Sequence, residues 1–104
     1  MEKITFREEG EELFARLAPE IDHHLARGLR EAIDEMLFKR APRVLVLDFS
    51  DVKFMDSSGI GLIIGRAEIA RELGAQVRIT GLSNMLRRLV RLSGIEKIKN
   101  ITIT

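Results

Sequence analysis

A short apolar block in the middle of this chain stands between two segments whose apolar residues recur at helical spacing. The block begins at Val44 and predicts a buried strand over residues 44–49. The preceding segment begins at Asp22, a residue type favoured at helix N-termini, and its helical pattern ends before Pro42. The following segment predicts a helix over residues 57–73 that Gly74 closes. A strand between two helices with short connections is typical of an α/β fold.

The rest of the chain extends the same alternation. Two short alternating segments, one starting at Ile4 and one ending at Leu17, predict an antiparallel hairpin at the start of the chain. Further predicted elements are a strand at 77–80, a helix at 82–93 and a strand at 98–104. The order is ββαβαβαβ, which predicts one α/β domain over residues 1–104 with a mixed sheet, because parallel crossovers are combined with an antiparallel hairpin.

Composition removes several classes of function. The chain has no cysteine, so it has no disulfide framework and no thiol chemistry, and its net charge of +1 gives no general attraction to nucleic acid or to acidic lipid. Residues 1–6 alternate charged and apolar side chains and do not resemble a secretory signal, and no run of about 18 apolar residues predicts a membrane span. We therefore expect a cytoplasmic protein that binds neither nucleic acid nor membranes.

A pair of hydroxyl side chains lies at the predicted start of the second helix. Ser57 and Ser58 follow Asp56, and all three residue types favour helix N-termini. A phosphate at such a position is stabilised by free backbone N–H groups and by the helix dipole, and it adds about −1.5 to −2 charge. This position therefore predicts a site where one modification changes how a partner binds.

The second helix lacks a single apolar stripe. Its first nine residues carry no charge, and their apolar side chains are distributed all round the helix, which predicts either deep burial or an apolar surface offered to another molecule. Gly59, Gly61 and Gly65 favour close packing against the backbone, since glycine inside a helix costs up to about 1 kcal/mol relative to alanine. Arg66 is expected either to reach a carboxylate or phosphate of a partner or to be solvated.

The residues from Phe54 to Gly61, FMDSSGIG, resemble the phosphorylation motif of the anti-sigma factor antagonists, which are members of the STAS domain family. The upstream residues from Glu20 to His24, EIDHH, are similar to a signature of the anti-sigma-F antagonists of spore-forming bacteria. Residues 63–66 and 92–95 also resemble the family, so the similarity covers nearly the whole chain. One departure is Ala18-Pro19, which stands where the family has a small residue and glycine, so the loop before Asp22 is expected to differ.

The resemblance implies a regulator and not an enzyme. The unphosphorylated antagonist would bind an anti-sigma factor that is also a serine kinase, and would thereby release the sporulation sigma factor F. The kinase would use its own ATP and magnesium to phosphorylate Ser57, so this chain needs no cofactor, and a metal-dependent serine phosphatase would reverse the reaction. An antagonist of another partner-switching pathway, such as the general stress response, is the alternative.

The resemblance also implies roles for individual residues. Ser57 accepts the phosphate, while Asp22 and Asp56 shape and charge its surroundings. The remaining expected partner-binding residues set the start of the helix or form its docking face: Ser58, Gly59, Gly61, Leu62, Gly65 and Arg66.

Three other interpretations are weaker. Neither serine stands in the Gly-x-Ser-x-Gly pattern of a hydrolase, and nothing in the sequence ties His23 or His24 to a serine. The glycine spacing is wrong for a dinucleotide fingerprint, and two adjacent histidines make a poor metal site.

The basic residues of the third helix and the segment after it are expected on a solvated face or against an acidic partner: Arg87, Arg88, Arg91, Lys97 and Lys99.

Overall fold

The structure is a computed structural model that describes residues 4–104; the first three residues of the predicted domain lie outside the described residues. In chain order the elements are β1 Ile4–Glu9, β2 Glu12–Leu17, β3 Glu20–Ile21, α1 His23–Arg40, β4 Val44–Asp48, β5 Phe54–Met55, α2 Ser57–Glu72, β6 Gln76–Thr80, α3 Asn84–Ser93, a 3₁₀ turn Ile95–Lys97 and β7 Ile101–Ile103. None of the helices in this range has both the length and the apolar character needed to cross a bilayer.

A five-stranded sheet in the order β1-β2-β4-β6-β7 forms the centre of the molecule. The β1–β2 pair is antiparallel and the other pairs are parallel, which confirms the predicted mixed sheet. Each parallel connection steps one strand further in the same direction, so right-handed crossovers place α1, α2 and α3 on one face of the sheet.

The hydrophobic core lies between that face and the helices. Alternate residues of the central strands point into it, such as Leu13, Leu45 and Val77, which are neighbours in the register. The apolar stripe of α1, including Ile33, and the buried side of α2, including Ile63, complete the same cluster. Burial of this single core stabilises the domain through the hydrophobic effect.

Two features differ from the sequence prediction. The strands β3 and β5 form a separate parallel pair, and strands of two residues are too short to show any periodicity. The last strand begins at Ile101 and not at Ile98, because Gly94 ends α3 at φ 79° and a 3₁₀ turn follows. The Ile101 N–H then donates to the Ile98 carbonyl at 3.1 Å, so residues before Ile101 form a turn.

Candidate functional site at the start of the second helix

The small β3–β5 pair brings two helix N-termini side by side. Each strand is followed at once by an aspartate that caps a helix: Asp22 Oδ1 accepts from the Leu25 N–H at 2.9 Å, and Asp56 Oδ1 accepts from the Ser58 N–H at 2.8 Å. The Asp56 N–H donates in turn to the Ile21 carbonyl at 3.2 Å. The positive ends of α1 and α2 therefore lie together, and both caps expected from the sequence are present.

The loop before Asp22 has a structural role at this junction. The Pro19 carbonyl accepts hydrogen bonds from the N–H groups of Lys53 and Phe54, at 2.7 and 3.2 Å, and so ties the segment before β3 to β5. Phe54 itself is half exposed, with 51% of its surface accessible, although it is a large aromatic residue beside the cap of α2. Its local sequence pattern does not distinguish this phenylalanine from a core residue.

The two hydroxyl side chains lie in different surroundings. Ser57 is the first residue of α2 and is exposed, so its hydroxyl is open to a modifying enzyme. Ser58 is half-buried, and its Oγ lies 3.5 Å from His23 Nδ1 on α1. Nothing in the sequence ties His23 to a serine, and the two side chains meet only because α1 and α2 begin side by side. The 3.5 Å separation is longer than the usual 2.6–3.2 Å between a nucleophile and its base.

A groove between α1 and α2 begins at this histidine. It has a volume of 570 Å³ and contains two arginines of α1 that share a helix face with His23. Arg27 follows His23 by four residues, and Arg30 follows Arg27 by three. We call it the α1–α2 groove; its lining residues are His23, His24, Ala26, Arg27, Arg30, Ser58, Gly61 and Leu62. The spacing of the two arginines was a signal in the sequence that the motif analysis did not use.

The three glycines of α2 divide into two kinds. Gly59 is buried, and a Cβ at this position would overlap Cγ and Sδ of Met55, so the close approach that it permits is internal to the protein. A Cβ on Gly61 or on Gly65 would meet no other atom within 4 Å. Gly61 is exposed in the groove, so of the three it gives a partner the most direct access to the helix backbone.

Two residues of the expected docking face are buried. Leu62 is 3% exposed and belongs to the core cluster. Arg66 is also 3% exposed, and its Nε lies 2.7 Å from Oδ1 of Asp34 on α1. Neither expectation for Arg66, a partner contact or a solvated side chain, is correct, because α1 packs against the side of α2 that carries it.

The buried pair has unusual electrostatics. Burial lowers the pKa of Arg66 and raises the pKa of Asp34 above its ordinary value, since desolvation outweighs the favourable charge of the partner. A second arginine, Arg30, lies close enough to lower the pKa of Asp34 and that of Arg66 as well. Arg66 thus contacts the carboxylate directly while Arg30 acts on it from a greater distance, and Arg66 Nη1 is buried without a hydrogen-bond partner among the described residues.

The basic residues near the end of the chain lie elsewhere. Arg88 and Arg91 are exposed on α3, and Arg87 donates from Nη2 to the Thr104 carbonyl at 3.1 Å. Among residues 4–104, only Arg87 of the five makes a side-chain hydrogen bond or ion pair, and none of the five lines the α1–α2 groove.

Comparison with known proteins agrees with this architecture. The sequence model of the STAS domain matches residues 3–104. An anti-sigma F factor antagonist of Paenibacillus polymyxa is 35% identical over 89 residues, which cover 86% of this chain and 76% of that protein. An anti-sigma-B factor antagonist of Listeria monocytogenes is 33% identical over 88 residues, with 82% of this chain and 76% of that protein covered.

A solved relative gives the same fold in two states. The anti-sigma factor antagonist SpoIIAA in its unphosphorylated form superposes with a TM-score of 0.82 at 24% identity, covering 97% of this chain and 87% of that chain. The Bacillus SpoIIAA in its phosphorylated form superposes with a TM-score of 0.74 at 25% identity, covering 97% of this chain and 90% of that chain.

Proposed function

The chain belongs to the STAS domain family, and from that membership we propose that it is an anti-sigma factor antagonist controlled by phosphorylation of Ser57. The observation that carries the proposal is the exposed Ser57 hydroxyl at the first position of α2, directly after the capping Asp56. The names of the Paenibacillus and Listeria relatives support the role of antagonist, and the phosphorylated form of the Bacillus relative supports the modification.

In this proposal the unmodified protein binds an anti-sigma factor through the surface around the start of α2. Gly61 permits close approach to the helix backbone, and Asp22, Asp56, Ser58 and the open flank at Gly65 border the contact. Gly59, Leu62 and Arg66 act from inside, because their packing against Met55, the core and Asp34 fixes the position of the helix. Only the exposed and half-buried residues of this set would touch the partner directly.

Phosphorylation would weaken this contact by adding charge to an apolar, close-packed surface. The helix N-terminus stabilises the phosphate within the antagonist itself, whereas the partner would have to bury a dianion against its own surface. Desolvation of that dianion opposes association. The modified protein would then release the anti-sigma factor.

Catalysis would belong to the partners. We propose that the anti-sigma factor is also the serine kinase and supplies ATP and magnesium, that a metal-dependent serine phosphatase restores Ser57, and that the exchange takes place in the bacterial cytoplasm. The antagonist would need no cofactor and bind no nucleic acid or membrane. The released factor would be the sporulation sigma factor F, in keeping with the EIDHH segment at Glu20–His24.

A second candidate is an antagonist of the general stress-response pathway. The observation in its favour is the Listeria relative, whose 33% identity is close to the 35% of the Paenibacillus relative. Binding measurements against the anti-sigma-F and the anti-sigma-B factor of one bacterium distinguish the two pathways. The pathway is the one whose factor binds more tightly and is released by phosphorylation.

The test of the switch is incubation with the kinase and ATP, followed by peptide mapping. We expect one phosphate on Ser57, none in Ser57→Ala, and normal labelling in the matched variant Ser58→Ala. We also expect Ser57→Asp to bind the anti-sigma factor about a hundredfold more weakly, which corresponds to about 2.7 kcal/mol. Equal affinity of the bare and phosphorylated proteins would refute the switch.

The docking surface has its own matched pair of variants. Gly61→Glu places a charged side chain in the α1–α2 groove and should abolish binding, whereas Gly28→Glu places the same side chain on the exposed surface of α1, outside the groove. Neither added Cβ meets another atom within 4 Å, so both variants should fold. Unchanged binding by Gly61→Glu would remove this surface from the interface.

A further inference from the structure

The α1–α2 groove has a strong excess of positive charge. Arg27 and Arg30 line it, and of the described residues no carboxylate does. The ion pair of Arg27 with Glu31 is long, at 3.5 Å, and highly exposed, so it neutralises little of the arginine charge. No carboxylate in residues 4–104 lies within 4.0 Å of the Arg30 guanidinium.

The ion pair between Asp34 and Arg66, one helical turn beyond the groove, leaves most of this charge uncompensated. Asp34 stands one helical turn after Arg30, and its carboxylate already contacts Arg66 at 2.7 Å. Both Arg27 and Arg30 are exposed, so their guanidinium groups are free to meet an anion that enters from solvent. A protein whose net charge is only +1 thus carries a local basic site beside its modification site.

We propose that the α1–α2 groove receives an acidic segment of the anti-sigma factor, a role that rests on the function proposed above. The argument is charge complementarity: two exposed arginines and the backbone at Gly61 form one wall and floor that match carboxylate side chains on an extended or helical segment. The groove guides association, and the apolar start of α2 supplies the close packing.

This placement gives phosphorylation a second effect. Ser57 does not line the groove, but the next residue, Ser58, does, so a phosphate on Ser57 adds its charge close to the groove. Its charge of about −2 offsets that of the two arginines. The acidic segment then loses its attraction at the same moment that the apolar contact is disrupted.

The test is the rate of association with the purified anti-sigma factor at low and high salt. In Arg27→Glu/Arg30→Glu we expect the rate constant to fall by at least about tenfold at low salt, because charges that steer encounter act mainly on association. The difference should shrink at high salt, where charges are screened within a few ångströms.

A matched control separates the groove from net charge. Arg88→Glu/Arg91→Glu changes the net charge by the same amount on exposed residues of α3, outside the groove. This variant should associate within about twofold of the wild-type rate. Equal loss in the two double variants, or no loss in either, would overturn the proposal while leaving the antagonist function intact.

A peptide probe tests the groove without the natural partner. Hexaglutamate titrated into the ¹⁵N-labelled wild-type protein at low salt should shift the amide signals of Arg27, Arg30 and Gly61, and Arg27→Glu/Arg30→Glu should lose these shifts. Shifts confined to α3, or no shifts at all, would also overturn the proposal. If the peptide binds in the groove but the anti-sigma factor does not bind the wild type, the proposed function fails and the acidic-segment site stands.

Discussion

Two polar clusters lie between α1 and α2, and they differ in nearly every property. The outer cluster, at the start of both helices, joins Ser58 Oγ to His23 Nδ1 over 3.5 Å near exposed arginines. The inner cluster, about three turns further along α1, joins Arg66 to Asp34 over 2.7 Å, with 4% and 25% of the two side chains exposed. One is loose and open to solvent, and the other is tight and buried.

The contrast indicates that the two clusters have different roles in one helix pair: the outer cluster is accessible for modification, and the inner cluster fixes the position of α2. A modification site must be accessible, and its surroundings must tolerate a new charge, which a loose and solvated cluster does at little cost. The position of α2 must nevertheless stay fixed so that its first turn remains presented to a partner. The buried ion pair and the core contacts of Leu62 supply that fixed position.

The strongest test of this division is the removal of one polar side chain from each cluster. Arg66→Met leaves the Asp34 carboxylate without its partner, and we expect a loss of about 2 kcal/mol in the free energy of unfolding. The value is below the 3–5 kcal/mol typical of fully buried pairs because Asp34 is partly exposed and regains water. The matched variant His23→Ala, in the outer cluster, should cost no more than about 0.5 kcal/mol. Urea denaturation measures both.

A double variant shows whether the loss comes from the unpaired charge. Asp34→Leu/Arg66→Met replaces the pair by apolar side chains and should recover most of the stability lost in Arg66→Met. If Arg66→Met and His23→Ala destabilise equally, the inner pair does not hold the helices and the division of labour is wrong.

The glycines of α2 give the second comparison, within one helix. In Gly59→Ala the new methyl group overlaps Met55, so we expect a loss of about 1 kcal/mol, the cost of overpacking less the gain in helix propensity. In Gly61→Ala the methyl group meets nothing within 4 Å, so the helix should gain about 0.5–1 kcal/mol. Thermal unfolding of the two variants measures the difference.

The two substitutions are expected to change the free energy of unfolding in opposite directions. Stabilisation by Gly59→Ala would mean that Met55 moves aside easily, so that internal packing does not account for that glycine. Destabilisation by Gly61→Ala would mean that another part of the protein packs against the helix backbone at Gly61, so that the backbone is not open to a partner.

The sequence was sufficient for the features that depend on local pattern. The α/β order, the mixed sheet and both capping aspartates follow from periodicity and from side chains that favour helix N-termini. It was not sufficient for the buried pair, because Arg66 and Asp34 are 32 residues apart and meet only through helix packing. An arginine at the end of an apolar turn has the same local pattern whether it is solvated or buried.

Acid titration of Asp34 provides the last and smallest test. Burial raises the pKa of this carboxyl above 3.8 in the folded protein. The folded state then binds the proton more tightly than the unfolded chain, so Asp34 adds stability that is fully present below pH 3.8 and is lost as the pH rises through the folded pKa. The stability of wild type relative to Asp34→Asn should therefore increase as the pH falls through this window.

Carboxyl ¹³C NMR should show a pKa of Asp34 above 3.8, and a still higher pKa in Arg66→Met, because the Arg66 charge lowers it. A pKa of Asp34 below 3.8 in the wild type would mean that the attraction of Arg66 outweighs the desolvation of the carboxylate. The charge attraction within the inner cluster would then contribute more to holding the two helices together than the raised pKa implies.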